Sequence, residues 1–245
     1  MDELKRFSDE VKANVDRLLA DGDLQARARA WLSELTRCRY VYNFTWLGRP
    51  VIQLPQDLLA VQEIIWQVRP DLIVETGIAH GGSLIHSASL LELLGGEGLV
   101  VGIDVDIRAH NRREIDTHPL ARRIRLLEGS STDERVAAAV RELARGRRAV
   151  LVMLDSDHTH AHVLRELELY GPLVTRGSYL VVFDTLIEDL PDELFPNRRW
   201  GKGNNPKTAV WEFMKTTSRF EIDPRIPGKL LLTCAPDGFL RCVGD

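Results

Sequence analysis

The chain reads as a doubly wound α/β protein: a mostly parallel sheet with helices on both faces, preceded by extra helices and closed by an antiparallel end. Three observations predict this. Short apolar runs beginning at Leu72, Leu99, Ile124, Val150 and Tyr179 alternate with helix-like stretches, and such alternation requires crossover connections and parallel pairing. The run Leu99–Asp104 is apolar throughout up to its last residue, as a strand covered on both faces must be. The run at Leu72 breaks at Gly77 and Gly81-Gly82 before a helical pattern, which is the strand–turn–helix of a ligand-binding unit.

The elements follow in order. Leu4, Phe7, Val11, Val15, Leu18 and Leu19 recur at helical spacing, and Asp21-Gly22-Asp23 breaks the run before it resumes from Leu24 to Leu35. These helices precede the sheet and are expected to form a cap or a subunit contact in a homo-oligomer. Arg39 to Pro50 is aromatic and loop-like; it lines a substrate pocket or packs the helices onto the core. Pro55 opens a helix whose apolar face runs from Leu58 to Val68, and Pro70 stops it. The first sheet strand follows, then a helix from about Ser83 to Leu94 closed by Gly95-Gly96. Strands are expected at 99–104, 124–128, 150–155 and 179–184, with helices from Asp133 to about Ala144 and Ala161 to Leu169. A long connection, 190–207, rich in proline, glycine and asparagine, reads as a lid-like binding loop. A helix from Thr208 to Met214 and short strands at Phe220–Ile222, Leu230–Cys234 and Phe239–Val243 finish the chain. The expected division is an N-terminal segment, 1–54, and a catalytic unit, 55–245.

Composition excludes several classes. At 245 residues the chain suits one large α/β domain, and its 44% hydrophobic and 28% charged content is that of an ordinary soluble protein. A net charge of -4 without a basic block argues against nucleic acid. No apolar run approaches a membrane span, and the start lacks a signal-peptide pattern. Cys38, Cys234 and Cys242 are odd in number, which points to free thiols in the cytoplasm.

The chemistry gathers at strand ends. Glu75-x-Gly77-x-x-x-Gly81-Gly82-Ser83 differs from the G-x-G-x-x-G of a dinucleotide site because its acid comes before its glycines. A carboxylate beside an amide-lined turn suits a cationic nucleoside, and S-adenosylmethionine, with its ammonium and sulfonium, fits better than NAD. Asp104, ending the second strand, is placed to accept from two ribose hydroxyls, and Ser130 or Ser131 to flank an adenine. Asp155-Ser156-Asp157-His158 and Asp184-Thr185 end the next two strands on the same sheet edge. Carboxylates there can hold a hard divalent cation, or cap helices. His158 is the candidate general base, since imidazole titrates near neutrality.

Together Val74–Gly77, Gly81–Ser83, Val101–Asp104, Leu154–His158 and Val182–Thr185 resemble the cephalosporin hydroxylase family. The likeness runs from about Tyr40 to Met214. The segment Trp200–Val210 is similar to the branch of rhamnosyl and other deoxysugar O-methyltransferases of natural-product and antibiotic pathways. The resemblance implies a Rossmann-like class I methyltransferase fold with seven strands, S-adenosylmethionine as donor and magnesium as cofactor. It implies that Glu75, Gly77 and Ser83 meet the methionine part, Asp104 the ribose, and Asp155 and Asp184 the metal, with Asp157 a further candidate ligand. Gly81, Ser130 and Asp155 complete the expected cofactor site, and Asp155 and His158 the catalytic pair. Phe183 departs from the pattern, since some members carry an acid there, so Asp157, His158 or water must complete the shell. Despite the family's name, these motifs contain no 2-His-1-carboxylate iron site. The expected activity is metal-dependent methylation of a deoxysugar hydroxyl, on a nucleotide sugar or a glycoside. Methylation of a phenol or β-lactam intermediate, or a non-catalytic S-adenosylmethionine-binding subunit, are the alternatives.

Overall fold

The computed structural model describes residues 2–245. Two helices lead, α1 (Glu3–Ala20) and α2 (Gly22–Arg37), joined at Asp21, whose carboxylate accepts from the Leu24 N–H and so starts α2. A short hairpin, β1 (Phe44–Trp46) and β2 (Arg49–Val51), occupies the aromatic stretch that sequence alone leaves as loop. Helix α3 (Pro55–Val68) then leads into β3 (Leu72–Thr76), α4 (Gly82–Leu94) and β4 (Leu99–Asp104). Next come α5 (Ala109–Asp116), β5 (Ile124–Glu128), α6 (Glu134–Ala144), β6 (Val150–Leu154), α7 (His160–Tyr170) and β7 (Tyr179–Val182). The chain ends with α8 (Pro206–Phe213), β8 (Phe220–Ile222), α9 (Arg225–Leu230) and β9 (Phe239–Cys242).

The main sheet has seven strands in the order β5-β4-β3-β6-β7-β9-β8. Strands β3 to β7 pair in parallel, and β9 runs antiparallel to both β7 and β8. The order reverses between β3, which pairs with β4 on one side, and β6 on the other. That reversal opens a crevice at the carboxyl ends of the strands. Residues of β3, β6 and β7 are buried without exception, because helices cover both faces. Two apolar clusters result, one on each face, with Val74, Val152 and Val182 in one and Ile73, Leu151 and Val181 in the other.

One sequence expectation fails. Leu230–Cys234 is no strand: α9 ends at Leu230, and Leu231 turns with a φ of 59°. Thr233 and Cys234 are instead held by a buried acid, Asp57 of α3, which accepts from Thr233 Oγ1, the Cys234 N–H at 2.9 Å and Cys234 Sγ at 3.0 Å. Burial pushes the Asp57 carboxyl up to about 6 against those hydrogen bonds. The long connection 190–207 is anchored. Glu188 accepts from the Gly203 N–H and from Asn205 Nδ2, and Lys207 Nζ lies 2.7 Å from Asp189.

Candidate active site

The turn between β3 and α4 begins with a buried acid. Glu75 is 2% exposed; Oε1 accepts from the Ser83 hydroxyl, while Oε2 has no partner. Burial pushes its carboxyl up to about 7, the Ser83 hydrogen bond opposing. A buried carboxylate oxygen left without a donor suits a cation. Gly77 sits at φ 79°, and a Cβ there would collide with the Asp155 carbonyl, so the ends of β3 and β6 approach as only glycine allows. Asp104 Oδ2 accepts from the Ile78 N–H at 3.0 Å and Oδ1 from the Asp106 N–H at 3.1 Å, which aligns the acid ending β4 with the glycine turn. Gly81, at φ 81°, precedes the first turn of α4. Ser130 bonds Thr132 and lies at the β5 end, whereas Ser131 is buried against His162 at 3.0 Å.

Asp155, His158 and Asp184 form the second cluster. One ligand atom from each lies within 4.8 Å of the others, the one such group of three among the described residues. Burial first, then the neighbouring charges of Asp184 and Glu75, raise the Asp155 carboxyl well above the ordinary carboxylate range. Like charges crowded together are stabilised by a cation between them, and two carboxylates with an imidazole fit a divalent ion. His158 Nε2 lies 3.2 Å from Asp184 Oδ2, and the ring meets Trp200 edge-on at 4.8 Å. Asp184 takes a φ of 56°, a left-handed conformation uncommon for a residue with a side chain.

Asp157, expected as a metal ligand, does not join this cluster. Its carboxylate accepts from the Thr159 N–H at 2.9 Å and pairs with Arg199, and these hydrogen bonds hold it below the usual range although burial opposes them. His158, and not Asp157, gathers with Asp155 and Asp184. Phe183 is buried in the core beside Asp184, 2% exposed.

A cavity of about 460 Å³ opens beside the cluster. His158 and Asp184 are among its lining residues. Leu32 and Leu35 of α2, Leu54, Leu186 and Phe195 contribute apolar lining, and Trp200 lines it as well. Sequence reasoning missed Gln53, which is buried and hydrogen-bonds the Asp155 carboxyl. It missed Arg49 and Asn111 as well, which grip the glycine turn. The aromatic stretch does reach the cavity, through Tyr40, Val41 and Tyr42.

Residues 38–243 match the family described as rhamnosyl O-methyltransferase/CmcI. The chain belongs to this family. Among curated members, the rhamnosyl O-methyltransferase of Mycobacterium tuberculosis is 31% identical over 203 residues, covering 80% of this chain and 77% of that one. The Mycobacterium leprae protein of the same name is 31% identical over 207 residues, covering 82% and 84%. Of solved structures, apo CmcI superposes with a TM-score of 0.58 at 20% identity, covering 83% of this chain and 78% of the other. A structure of CmcI described as carrying Mg and SAM gives 0.57 at 21% identity with the same coverage. The fold is that of the class I methyltransferases. Helices α1 and α2 both lie before the matched span, so the cavity wall that α2 supplies falls outside it.

Proposed function

We propose that the protein is an S-adenosylmethionine- and divalent-cation-dependent O-methyltransferase acting on a deoxysugar hydroxyl, in natural-product or antibiotic biosynthesis. One juxtaposition carries the reading: the Asp155–His158–Asp184 cluster lies between the glycine turn that begins with Glu75 and a cavity large enough for a sugar with an apolar attachment. The names of the curated relatives support the sugar, and the Mg and SAM of the CmcI structure support the cofactors.

The donor supplies an electrophilic methyl on sulfonium, and a bound divalent cation supplies Lewis acidity at the acceptor hydroxyl. The chain's own residues do the rest. Glu75 Oε2 neutralises the donor ammonium, and Asp104 accepts from the ribose hydroxyls. Asp155 and Asp184 hold the cation, with Gln53 fixing the Asp155 carboxyl. His158, oriented by Asp184 and Trp200, takes the proton from the acceptor hydroxyl, which lies in the cavity. The apolar wall excludes water and receives the substituent the sugar carries.

The test is calorimetric titration with S-adenosylmethionine, followed by turnover of rhamnosides with and without Mg2+. Donor binding lost in Asp104→Ala, and Mg2+-dependent turnover lost in Asp155→Asn with donor binding kept, are expected. No donor binding by the intact protein sinks the reading. Turnover of catechols but not rhamnosides would transfer the activity to another acceptor. His158→Gln separates two roles: lost turnover with cation affinity kept makes His158 the base, and lost cation affinity makes it a ligand.

A further inference from the structure

The glycine turn is strained, and residues remote from it in sequence hold the strain. Residues Ile78–Gly81 form a tight turn closed by the Gly81 N–H donating to the Ile78 carbonyl at 2.7 Å. The first central residue, Ala79, has a φ of 44°, a left-handed conformation that costs an alanine and not a glycine. Both central carbonyls are gripped. Asn111 of α5, 2% exposed, donates from Nδ2 to the Ala79 carbonyl at 3.0 Å. Arg49 of β2 donates from Nε and Nη2 to the His80 carbonyl at 3.0 and 2.7 Å, and from Nη2 to Asn111 Oδ1 at 2.9 Å. Its side chain is 11% exposed, with Glu114 3.8 Å from Nη1. The hairpin carrying Arg49 is itself seated on α4. A Cβ at Gly82 would strike the Pro50 carbonyl, and Trp46 Nε1 donates to Ser89 Oγ at 3.1 Å.

We propose that Arg49 and Asn111 are positioning residues for donor binding, holding the Ala79–His80 peptide in the strained conformation the cofactor meets and so setting donor affinity without touching the donor. The inference rests on the donor reading above. Drawing the two carbonyls toward α5 and the hairpin fixes the path of the turn between Glu75 and the start of α4. Asp104 is tied to the same turn through the Ile78 N–H, so the grip extends to the acid that takes the ribose. Released, Ala79 relaxes out of the left-handed region, and the donor must restore it on binding. Strain of the size alanine carries there corresponds to about tenfold in affinity.

The experiment compares S-adenosylmethionine dissociation constants, by calorimetry, for the wild type, Arg49→Met, Arg49→Lys, Asn111→Ala and the double variant Arg49→Met/Ala79→Gly. Thermal melting and Mn2+ binding, read by the paramagnetic resonance of the free ion, are measured on the same samples. Arg49→Met and Asn111→Ala are expected to weaken donor binding about tenfold, and Arg49→Lys less, because an ammonium keeps one bond of the fork. Ala79→Gly should recover part of the Arg49→Met loss, since glycine enters the left-handed region without the cost alanine carries, while Mn2+ affinity stays put. A merely structural role predicts no recovery by Ala79→Gly and a parallel fall in Mn2+ affinity, and that result overturns the proposal. So does donor binding as tight in both single variants as in the wild type. A wild type that binds no donor overturns this inference and the donor reading together; a wild type that binds, with variants equal to it, overturns only this one.

Discussion

Glu75 shows how burial prepares a residue for a ligand. Its carboxyl is raised from 4.5 to about 7 by burial, and one oxygen waits without a donor. A raised acid contributes stability that is complete below its unfolded value near 4.5 and is lost as pH climbs through about 7. The donor-free protein should therefore melt at progressively lower temperature across that window, and Glu75→Gln should lessen the dependence, leaving the part that the raised Asp57 and Asp155 supply. A donor ammonium reverses the preference, because it selects the ionised acid. Near pH 6 donor binding is expected to release about one proton, fading above about pH 8. Titrations in buffers of different ionisation enthalpy read this number directly, and an unchanged proton count in Glu75→Gln would remove Glu75 from the donor site. The acids Glu75, Asp104, Asp155 and Asp184 were legible in the sequence because each terminates an apolar run, and strand ends share one edge. That His158, and not Asp157, gathers with Asp155 and Asp184 was not legible. It depends on which way a loop turns, and Arg199 with the Thr159 N–H decides that from outside the motif. Gln53, Arg49 and Asn111 act only through contacts distant in sequence, across 62 residues for the Arg49–Asn111 pair, and no local pattern announces them.

At the scale of elements, the sheet was readable where burial on both faces imposes unbroken apolar runs, as in β4 and β6. The failure at Leu230–Cys234 has the same origin. An apolar run is also what a helix end and a packed loop present, and Pro227-Gly228 does not reveal that α9 spans them. The hairpin β1–β2 was hidden because each strand is only three residues long and turns through Leu47-Gly48. Its seating on α4 is a close backbone contact that Gly82 alone permits. Gly82→Ala is expected to push the Pro50 peptide away, destabilising the fold by about 1–3 kcal/mol and weakening donor binding by loosening Arg49. Chemical denaturation and calorimetry on this variant check both effects. Lost stability with donor affinity intact would uncouple the hairpin from the turn. The α4 helix itself begins without a side-chain cap, so its first amides remain available at the turn that Arg49 and Asn111 hold.

Across the whole molecule, the proposed function assigns the two substrates to different parts of the chain. The strand ends and the turn after β3, proposed to take the donor, all lie within the span matched to the family. The cavity proposed for the acceptor is lined in part by Leu32, Leu35 and Thr36 of α2, outside that span. Helix α2 is in turn braced by α1, which lies against α9: Gly228 gives the Leu19 side chain its seat, and Arg225 pairs with Asp16 at 2.7 Å. The ion pair is exposed at both partners and contributes little, so the brace rests on the Leu19–Gly228 packing. Gly228→Val would fill that seat and lift α1 from α9, and with it the anchor of α2. The expected consequence is selective. The acceptor KM rises several-fold, because the apolar wall at Leu32 and Leu35 moves, while the donor dissociation constant holds, because no donor residue lies on α1, α2 or α9. Steady-state kinetics with each substrate varied in turn, beside donor calorimetry, separate the two constants. Equal losses on both sides would mean that the N-terminal helices support the sheet as a whole, and an unchanged acceptor KM would mean that α2 keeps its place without α1.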